Sequence, residues 1–151
     1  MPYRICKTIE IESGHMLSKS PDKCRYPHGH TRKIELIVES DALDKNDMVC
    51  DFSLLKIVLK DIVDSFDHAM CINTNDPMYN AFKETYGDSV IGFANADPTA
   101  ECMAKIIFDK TQDFLNRHAD RKDLPYPLAK NVRLRRVRLW ETSTGWAEYV
   151  E

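Results

Sequence analysis

The chain has 151 residues, of which 43% are hydrophobic and 30% charged, and its formal net charge is -3 at pH 7. This length is typical of a single domain that buries a core without needing disulfides. The slight acidity argues against a nucleic-acid partner, and we interpret the cationic strip of Arg133, Arg135, Arg136 and Arg138 as a solvated strand face or a place where a phosphorylated substrate is steered.

Cysteine usage and the apolar runs indicate the compartment. The five cysteines are an odd number without close pairing, and no positively charged stretch followed by an apolar run opens the chain. The apolar runs fall well short of the ~20 residues that a membrane span requires. We therefore expect a reduced, cytoplasmic protein without membrane attachment, organised as one domain over residues 1–151.

The first two predicted elements are strands. Apolar residues fall on odd positions over residues 3–15 and on even positions over residues 31–39, and this period of two indicates strands with one buried face. His15 continues the odd parity, whereas His28 and His30 share the even parity. If the two strands pair antiparallel, the three imidazoles converge at the loop end of the hairpin.

Two helices are predicted next. A stripe of apolar residues with helical spacing begins after Asp51 and stops near Asp67. A second helix has Asp97 as its cap and Pro98 in its first position, and it runs to about residue 117. Residues 74–97, between the helices, contain Asn, Asp, Pro and Gly, and we interpret them as an elaborated loop, in which the mixed segment Met78 to Tyr86 is compatible with one or two helical turns.

Strand character returns at the end of the chain. After a proline-containing connection over residues 120–131, residues 132–141 and 146–150 have the composition of two further strands. The order of two strands, two helices and two strands predicts an α+β architecture in which sequential strands pair as hairpins and both helices cover one face. An alternating βαβ arrangement is disfavoured because no helix separates the first two strands.

The histidines suggest a metal site. Three of the five histidines, His15, His28 and His30, lie within residues 15–30. A lone histidine is usually a surface or hydrogen-bonded core residue, but three at this spacing, two of them on one strand face, predict zinc binding. Neutral imidazole suits Zn²⁺, and three such ligands leave the fourth tetrahedral position open, as in a catalytic site.

Cys24 lies in the same short stretch and has three interpretations. It is a fourth zinc ligand, a small buried hydrophobe, or a thiolate that acts as a base. Lys23 and Arg25 flank it, and cationic surroundings favour a thiolate. Its predicted place in an exposed loop argues against core packing, so we prefer the base to the ligand, although the flanking residues decide between these only in part.

Three further acidic positions have both a structural and a functional interpretation. Asp67-His68 ends the first helix, where a histidine complements the helix dipole, and spacing alone favours this over a proton-transfer pair. Glu141 continues the buried parity of Leu139, so it either binds two adjacent N–H donors of a guanidine-type heterocycle or meets solvent at the strand end. Glu101 lies in the first turn of the second helix, where it favours the positive end of the dipole.

Short motifs spread over nearly the whole chain resemble the 6-pyruvoyl-tetrahydropterin synthase family. They are more similar to its bacterial branch, the 6-carboxytetrahydropterin synthases, which make a precursor of queuosine and related deazapurines. The three residues between the cysteine and the His-Gly-His motif are typical of that branch. The motifs are Ser13-Gly14-His15, Cys24-x₃-His28-Gly29-His30, Met48-Val49-Cys50-Asp51-Phe52, Asp67-His68, Pro98-Thr99-Ala100-Glu101 and Trp140-Glu141-Thr142.

This resemblance implies a fold and an assembly. The fold is a T-fold subunit with a four-stranded antiparallel sheet and two helices on one face. The subunits form a homo-oligomer, a dimer of trimers with active sites between subunits. The implied substrate is 7,8-dihydroneopterin triphosphate, converted to 6-carboxytetrahydropterin, acetaldehyde and triphosphate. The alternatives are elimination of triphosphate alone, giving 6-pyruvoyltetrahydropterin, and a zinc- and pterin-binding protein without turnover.

The resemblance also implies a role for each candidate residue. Zinc lies on the three histidines and activates the side-chain hydroxyls of the substrate. One group of side chains moves protons and another holds the pterin. The implied proton-transfer residues are Cys24 as the general base with Asp67 and His68 as its partners, and the implied substrate-binding residues are Glu141 as the ring anchor with Thr99 and Glu101 nearby.

Overall fold

A computed structural model describes residues 2–119 and 126–151 and contains, over those ranges, six strands and three α-helices. Residues 120–125 of the predicted connection lie outside the described residues. Short 3₁₀ turns occur at Lys23–Arg25 and Gly87–Ser89. The elements in chain order are β1 (Tyr3–Met16), β2 (His28–Ser40), α1 (Phe52–Phe66), β3 (Ala69–Asn73), α2 (Tyr79–Tyr86), β4 (Val90–Phe93), α3 (Ala100–His118), β5 (Arg133–Thr142) and β6 (Gly145–Val150).

The strands form one mixed sheet in the order β4-β3-β1-β2-β5-β6. The four predicted strands, β1, β2, β5 and β6, pair antiparallel with one another, as expected. The expectation of a four-stranded sheet is corrected, because β3 and β4 extend it with two parallel pairings beside β1. These two strands have five and four residues, which is too short for a period of two to be recognised in the sequence.

The main core lies on the face of the sheet that carries the apolar parity of β1 and β2. Ile34, Leu36 and Val38 have no exposed surface, and α1 and α3 pack over them. Each such side chain stabilises the fold by about 1.5–3 kcal/mol through burial. Asp51 is the N-cap of α1, and its side chain accepts a hydrogen bond from the Ser53 amide at 2.8 Å.

The segment over residues 74–97 is more ordered than the elaborated loop that we expected. It contains α2 and β4, and a small second core joins them to β1 and β3 through Met16, Ile72 and Val90. Ile72 alternates with Cys71 of the main core, so this cluster lies on the opposite face of the sheet. α2 therefore packs on the face opposite to α1 and α3. The prediction of two helices on one face is correct for α1 and α3 but does not include α2.

The cap of α3 differs from the prediction. Thr99 is the N-cap, and its Oγ1 accepts a hydrogen bond from the Cys102 amide at 3.1 Å. Asp97, the predicted cap, is instead 7% exposed and accepts hydrogen bonds from the backbone of Ser18 and Lys19, the Ser18 hydroxyl and the Asn73 amide group. It thereby fastens the loop after β1 to the start of α3.

We expect Thr99→Ala to lower the free energy of unfolding by about 1 kcal/mol, the usual cost of losing an N-cap. Asp97→Ala should cost about 2 kcal/mol, because it leaves several buried donors unpaired. Urea unfolding of both variants, with Asp113→Ala on the exposed side of α3 as the control, measures the difference. An Asp97→Ala protein as stable as the wild type would show that the loop is not held by this carboxylate.

The five cysteines are all free thiols, as the odd count predicted. Cys50 and Cys71 are buried in the core, whereas Cys6 and Cys24 are exposed. Among the helices within residues 2–119 and 126–151, none has the length and apolar character needed to cross a membrane.

Candidate metal centre and its surroundings

The three histidines predicted from parity do converge. His15 of β1 lies directly opposite His28 of β2, and His30 lies opposite Ser13, so all three side chains project from the core face at one end of the hairpin. Their ring centroids are 4.4 to 5.1 Å apart. One potential ligand atom from each ring lies within 4.8 Å of the others, which makes this group capable of holding a metal ion.

The arrangement fits a metal bound through Nε2. A tetrahedral zinc ion with Zn–N bonds of about 2.0–2.1 Å needs ligand nitrogens about 3.3 Å apart, and Nε2 of His15 and Nε2 of His30 are separated by 3.2 Å. Nδ1 of His15 is 2.8 Å from the Pro98 carbonyl and Nδ1 of His28 is 2.7 Å from the Tyr26 carbonyl. These carbonyls accept from Nδ1–H and leave Nε2 of each ring with its lone pair free, which is the usual outer-shell support of a histidine ligand.

Burial keeps the site in the form that binds metal. His15 has no exposed surface, and burial lowers the pKa of its imidazole from 6.5 to about 4, with the Pro98 carbonyl acting in the other direction and the charge of Arg32 adding to the decrease. Burial and Arg32 also lower the pKa of His30. Both imidazoles are therefore neutral at pH 7, which metal coordination requires.

Glu141 and Arg32 complete the inner end of the site. Oε1 of Glu141 is 3.6 Å from Nε2 of His15, 3.5 Å from Nε2 of His30 and 3.8 Å from Nη2 of Arg32. The Glu141 side chain remains 41% exposed. Sequence reasoning missed Arg32, although the signal was present: it lies between His30 and Ile34 with the parity of the buried residues, which is the reasoning that singled out Glu141.

Asp67 and His68 are paired and fastened to β1. Oδ1 of Asp67 accepts from the Glu12 amide at 2.8 Å, and Oδ2 is 3.0 Å from Nδ1 of His68. The Glu12 amide and His68 lower the pKa of Asp67. The backbone of His68 has a φ of 61°, a left-handed conformation that few residues other than glycine adopt.

His68 borders a cleft on the sheet. The cleft has a volume of about 390 Å³ and is lined by residues of β1, β2 and β3, among them His30. Most of the strand residues in its lining have the parity opposite to that of the three imidazoles, namely Glu12, Gly14, Gly29, Thr31 and Met70. The cleft therefore opens on the face of the sheet that is turned away from the three-histidine group.

The remaining candidate residues differ in their exposure to solvent. Cys24 is exposed in the turn at Lys23–Arg25, and across the described residues the group able to hold a metal consists of the histidines without it. Thr99 is half-buried as the cap of α3, and Glu101 is exposed in the first turn. Both follow Pro98, whose carbonyl faces His15.

Comparisons of the chain with known proteins identify its family. The family model described as 6-pyruvoyl tetrahydropterin synthase matches residues 4–151. The chain is 36% identical over 169 positions to a 6-carboxy-5,6,7,8-tetrahydropterin synthase of Aquifex aeolicus, with 100% of this chain and 99% of that protein covered. It is 30% identical over 156 positions to the protein of the same name from Haemophilus influenzae, with 99% of each covered.

Solved structures agree with the fold. A 6-pyruvoyl tetrahydropterin synthase from Plasmodium vivax has a TM-score of 0.72 at 14% identity, covering 100% of this chain and 98% of that one. The enzyme of the same name from Caenorhabditis elegans has a TM-score of 0.68 at 17% identity, covering 100% and 96%. The fold and the three-histidine group thus define an α+β protein of the pterin-synthase type. The chain belongs to the 6-pyruvoyl tetrahydropterin synthase family.

Proposed function

We propose that this chain is a zinc-dependent lyase that converts 7,8-dihydroneopterin triphosphate to 6-carboxy-5,6,7,8-tetrahydropterin, acetaldehyde and triphosphate. The observation that carries the proposal is the three-histidine group within a chain that is similar over its full length to two proteins named 6-carboxy-5,6,7,8-tetrahydropterin synthase. Three neutral imidazoles suit zinc and leave one position open for a substrate oxygen. Bound there, zinc supplies a Lewis acid for the side-chain hydroxyls of the substrate.

The side chains around the histidines supply the proton transfers. Cys24, as a thiolate, is the base that takes a proton from carbon of the substrate side chain. Asp67 holds Nδ1 of His68, so Nε2 of this exposed ring is available to exchange a proton with a bound substrate. Proton transfer by positioned groups of this kind typically accelerates a reaction about 10²–10⁴-fold.

A second set of side chains holds the pterin. Glu141 accepts hydrogen bonds from the two adjacent N–H groups of the pterin ring, which is the bidentate contact that a carboxylate makes best. Its 41% exposure leaves it accessible to a ligand while one oxygen stays beside the histidines. Thr99 and Glu101 lie on the segment after Pro98 and contribute to the same pocket.

The proposed assembly is a dimer of trimers with active sites between subunits. The described strands leave β4 and β6 as the two edges of the sheet, and the unpaired backbone of an edge strand favours pairing with another chain. Cys24 and His68 are both exposed in the single chain, so a neighbouring subunit has access to them.

The second candidate is a 6-pyruvoyl-tetrahydropterin synthase, which eliminates triphosphate without cleaving the side chain. The name of the family and the similar folds of two such enzymes favour it. A pterin-binding protein without turnover is the third candidate. The pairing of Asp67 with His68 argues against it, because binding alone needs no proton relay.

Mass spectrometry of the products separates these candidates. Zinc-loaded protein is mixed with 7,8-dihydroneopterin triphosphate while acetaldehyde is trapped in the same tube, and chelator-treated protein is the control. We expect carboxytetrahydropterin and acetaldehyde together, only with metal. Pyruvoyltetrahydropterin without acetaldehyde would establish the second candidate, and unchanged substrate would contradict both enzymatic proposals.

A further inference from the structure

Arg32 is a buried cation whose charge the proposed reaction does not use. It has no exposed surface and lies on the core face of β2, directly opposite Ile11 of β1 and two residues from Ile34. Its Nε and Nη1 are buried without a hydrogen-bond partner among the described residues. A buried charge with two unpaired nitrogens is costly, so its presence beside the three histidines calls for a physical reason.

Arg32 contacts the ring of His15 through Nη2, which lies within hydrogen-bond distance of both ring nitrogens. Nη2 of Arg32 is 3.2 Å from Nδ1 and 3.4 Å from Nε2 of the same ring. A nitrogen almost equidistant from both ring nitrogens at this range would overlap Cε1 if it lay in the ring plane, so it lies out of that plane. Both ring nitrogens of His15 thus remain directed to Pro98 and to the metal position.

The carboxylate that faces Arg32 is Glu141. Ile34 pairs with Leu139, and extending this antiparallel register by two residues places Arg32 opposite Glu141. Nη2 and Oε1 are 3.8 Å apart, and within the described ranges this is the ion pair that Arg32 makes. The Arg32 side chain has no exposed surface, whereas the Glu141 side chain is 41% exposed and freer to move, so we take the arginine as the member that orients the carboxylate.

We propose that Arg32 is a positioning residue that fixes the Glu141 carboxylate at the inner end of the site and, by its buried charge, weakens the binding of a dication by the three histidines. The part that concerns the pterin rests on the proposed function of Glu141. The two effects have opposite signs. Arg32 strengthens binding of the pterin ring through Glu141, and it repels the metal.

Replacing Arg32 with methionine, which has no charge and a similar length, separates the two effects. We expect Arg32→Met to bind zinc at least about tenfold more tightly in competition with a chromophoric chelator, because a unit charge beside a ligand is removed. We expect 7,8-dihydroneopterin to bind the zinc-loaded variant at least about tenfold more weakly in a fluorescence titration. A residue that merely supported the fold would weaken both, since a disturbed sheet misplaces the histidines.

Three further proteins complete the test. Arg32→Lys keeps the charge and should bind zinc as the wild type does, and Arg4→Met, which removes an arginine paired with Glu39 far from the histidines, should change neither affinity. In a Glu141→Gln background, Arg32→Met should have no further effect on pterin binding, because the two act as one unit. Arg32→Gln repeats the measurement should the methionine variant not fold.

Weaker or unchanged zinc binding in the uncharged Arg32 variants would overturn the proposal, as would full additivity with Glu141→Gln. Wild-type protein that binds zinc but no dihydroneopterin would contradict the proposed function instead. In that outcome the zinc affinities still test the charge effect of Arg32. The cobalt-loaded proteins, compared by visible absorption, show whether the coordination geometry is the same in all variants.

Discussion

Cys24→Ala is expected to lower kcat by about 10²–10⁴ while the protein still binds one zinc ion per chain. The reason is that the exposed thiol lies outside the three-histidine group, so its loss should remove the proposed base and not a metal ligand. Product formation from 7,8-dihydroneopterin triphosphate measures the rate, and elemental analysis of the purified variant measures the metal.

Two controls make this prediction specific. Cys6 is the other exposed cysteine and lies on β1 at the end of the strand remote from His15, so Cys6→Ala should retain full activity. Cys24→Ser keeps the size of the side chain but not the acidity of a thiol, and it should be almost as inactive as the alanine variant. Loss of zinc together with activity in Cys24→Ala would show that the thiol is a ligand and that the base has been assigned wrongly.

The three-histidine group could be predicted because the position of each histidine follows from the alternation of apolar residues along its strand. The strands that carry the histidines have 14 and 13 residues, long enough for a period of two to be unambiguous. A slip of one residue in the pairing would turn His28 and His30 to the other face together with Ile34. The apolar pattern of β1 and β2 therefore fixes both the register and the convergence of the imidazoles.

The parts of the fold that could not be predicted are those where burial leaves little pattern. α2 has only eight residues, and its apolar side chains Tyr79 and Phe82 are only partly buried, so the stripe is too short to distinguish a helix from a structured loop. β3 has only five residues and begins three residues after α1 ends, which is too short for a strand period to be recognised. Asp97 precedes a proline and has the residue type of a cap, but its hydrogen bonds go to a loop almost 80 positions away, which local sequence does not indicate.

The same limit applies within the site. Arg32 has the correct parity for burial, but composition gives no reason to bury a guanidinium, and its partner Glu141 is more than 100 positions away. The pairing becomes visible only once β5 lies beside β2 in a known register. The sequence thus shows that Arg32 and Glu141 are charged residues at buried positions of strands. It does not show that the two strands are neighbours, which is needed to predict the pair.

The metal-free protein is expected to lose stability as the pH falls from about 6.5 to about 4, because of His15. Its imidazole has a pKa of about 4 in the folded chain and 6.5 when unperturbed, so in this window the unfolded state binds one more proton than the folded state. The difference favours unfolding increasingly at lower pH and amounts to about 3 kcal/mol across the window. Urea unfolding in the presence of a chelator, repeated across this pH range, measures the slope.

The variant His15→Gln isolates this contribution from the carboxylates that also titrate in acid. Glutamine keeps an N–H donor for the Pro98 carbonyl but binds no proton, so the slope should be smaller by about 1.4 kcal/mol per pH unit than in the wild type. Equal slopes for His15→Gln and the wild type would mean that His15 is protonated as readily in the folded chain as in the unfolded one. Burial would then not be the reason that the His15 imidazole is neutral and able to bind a metal.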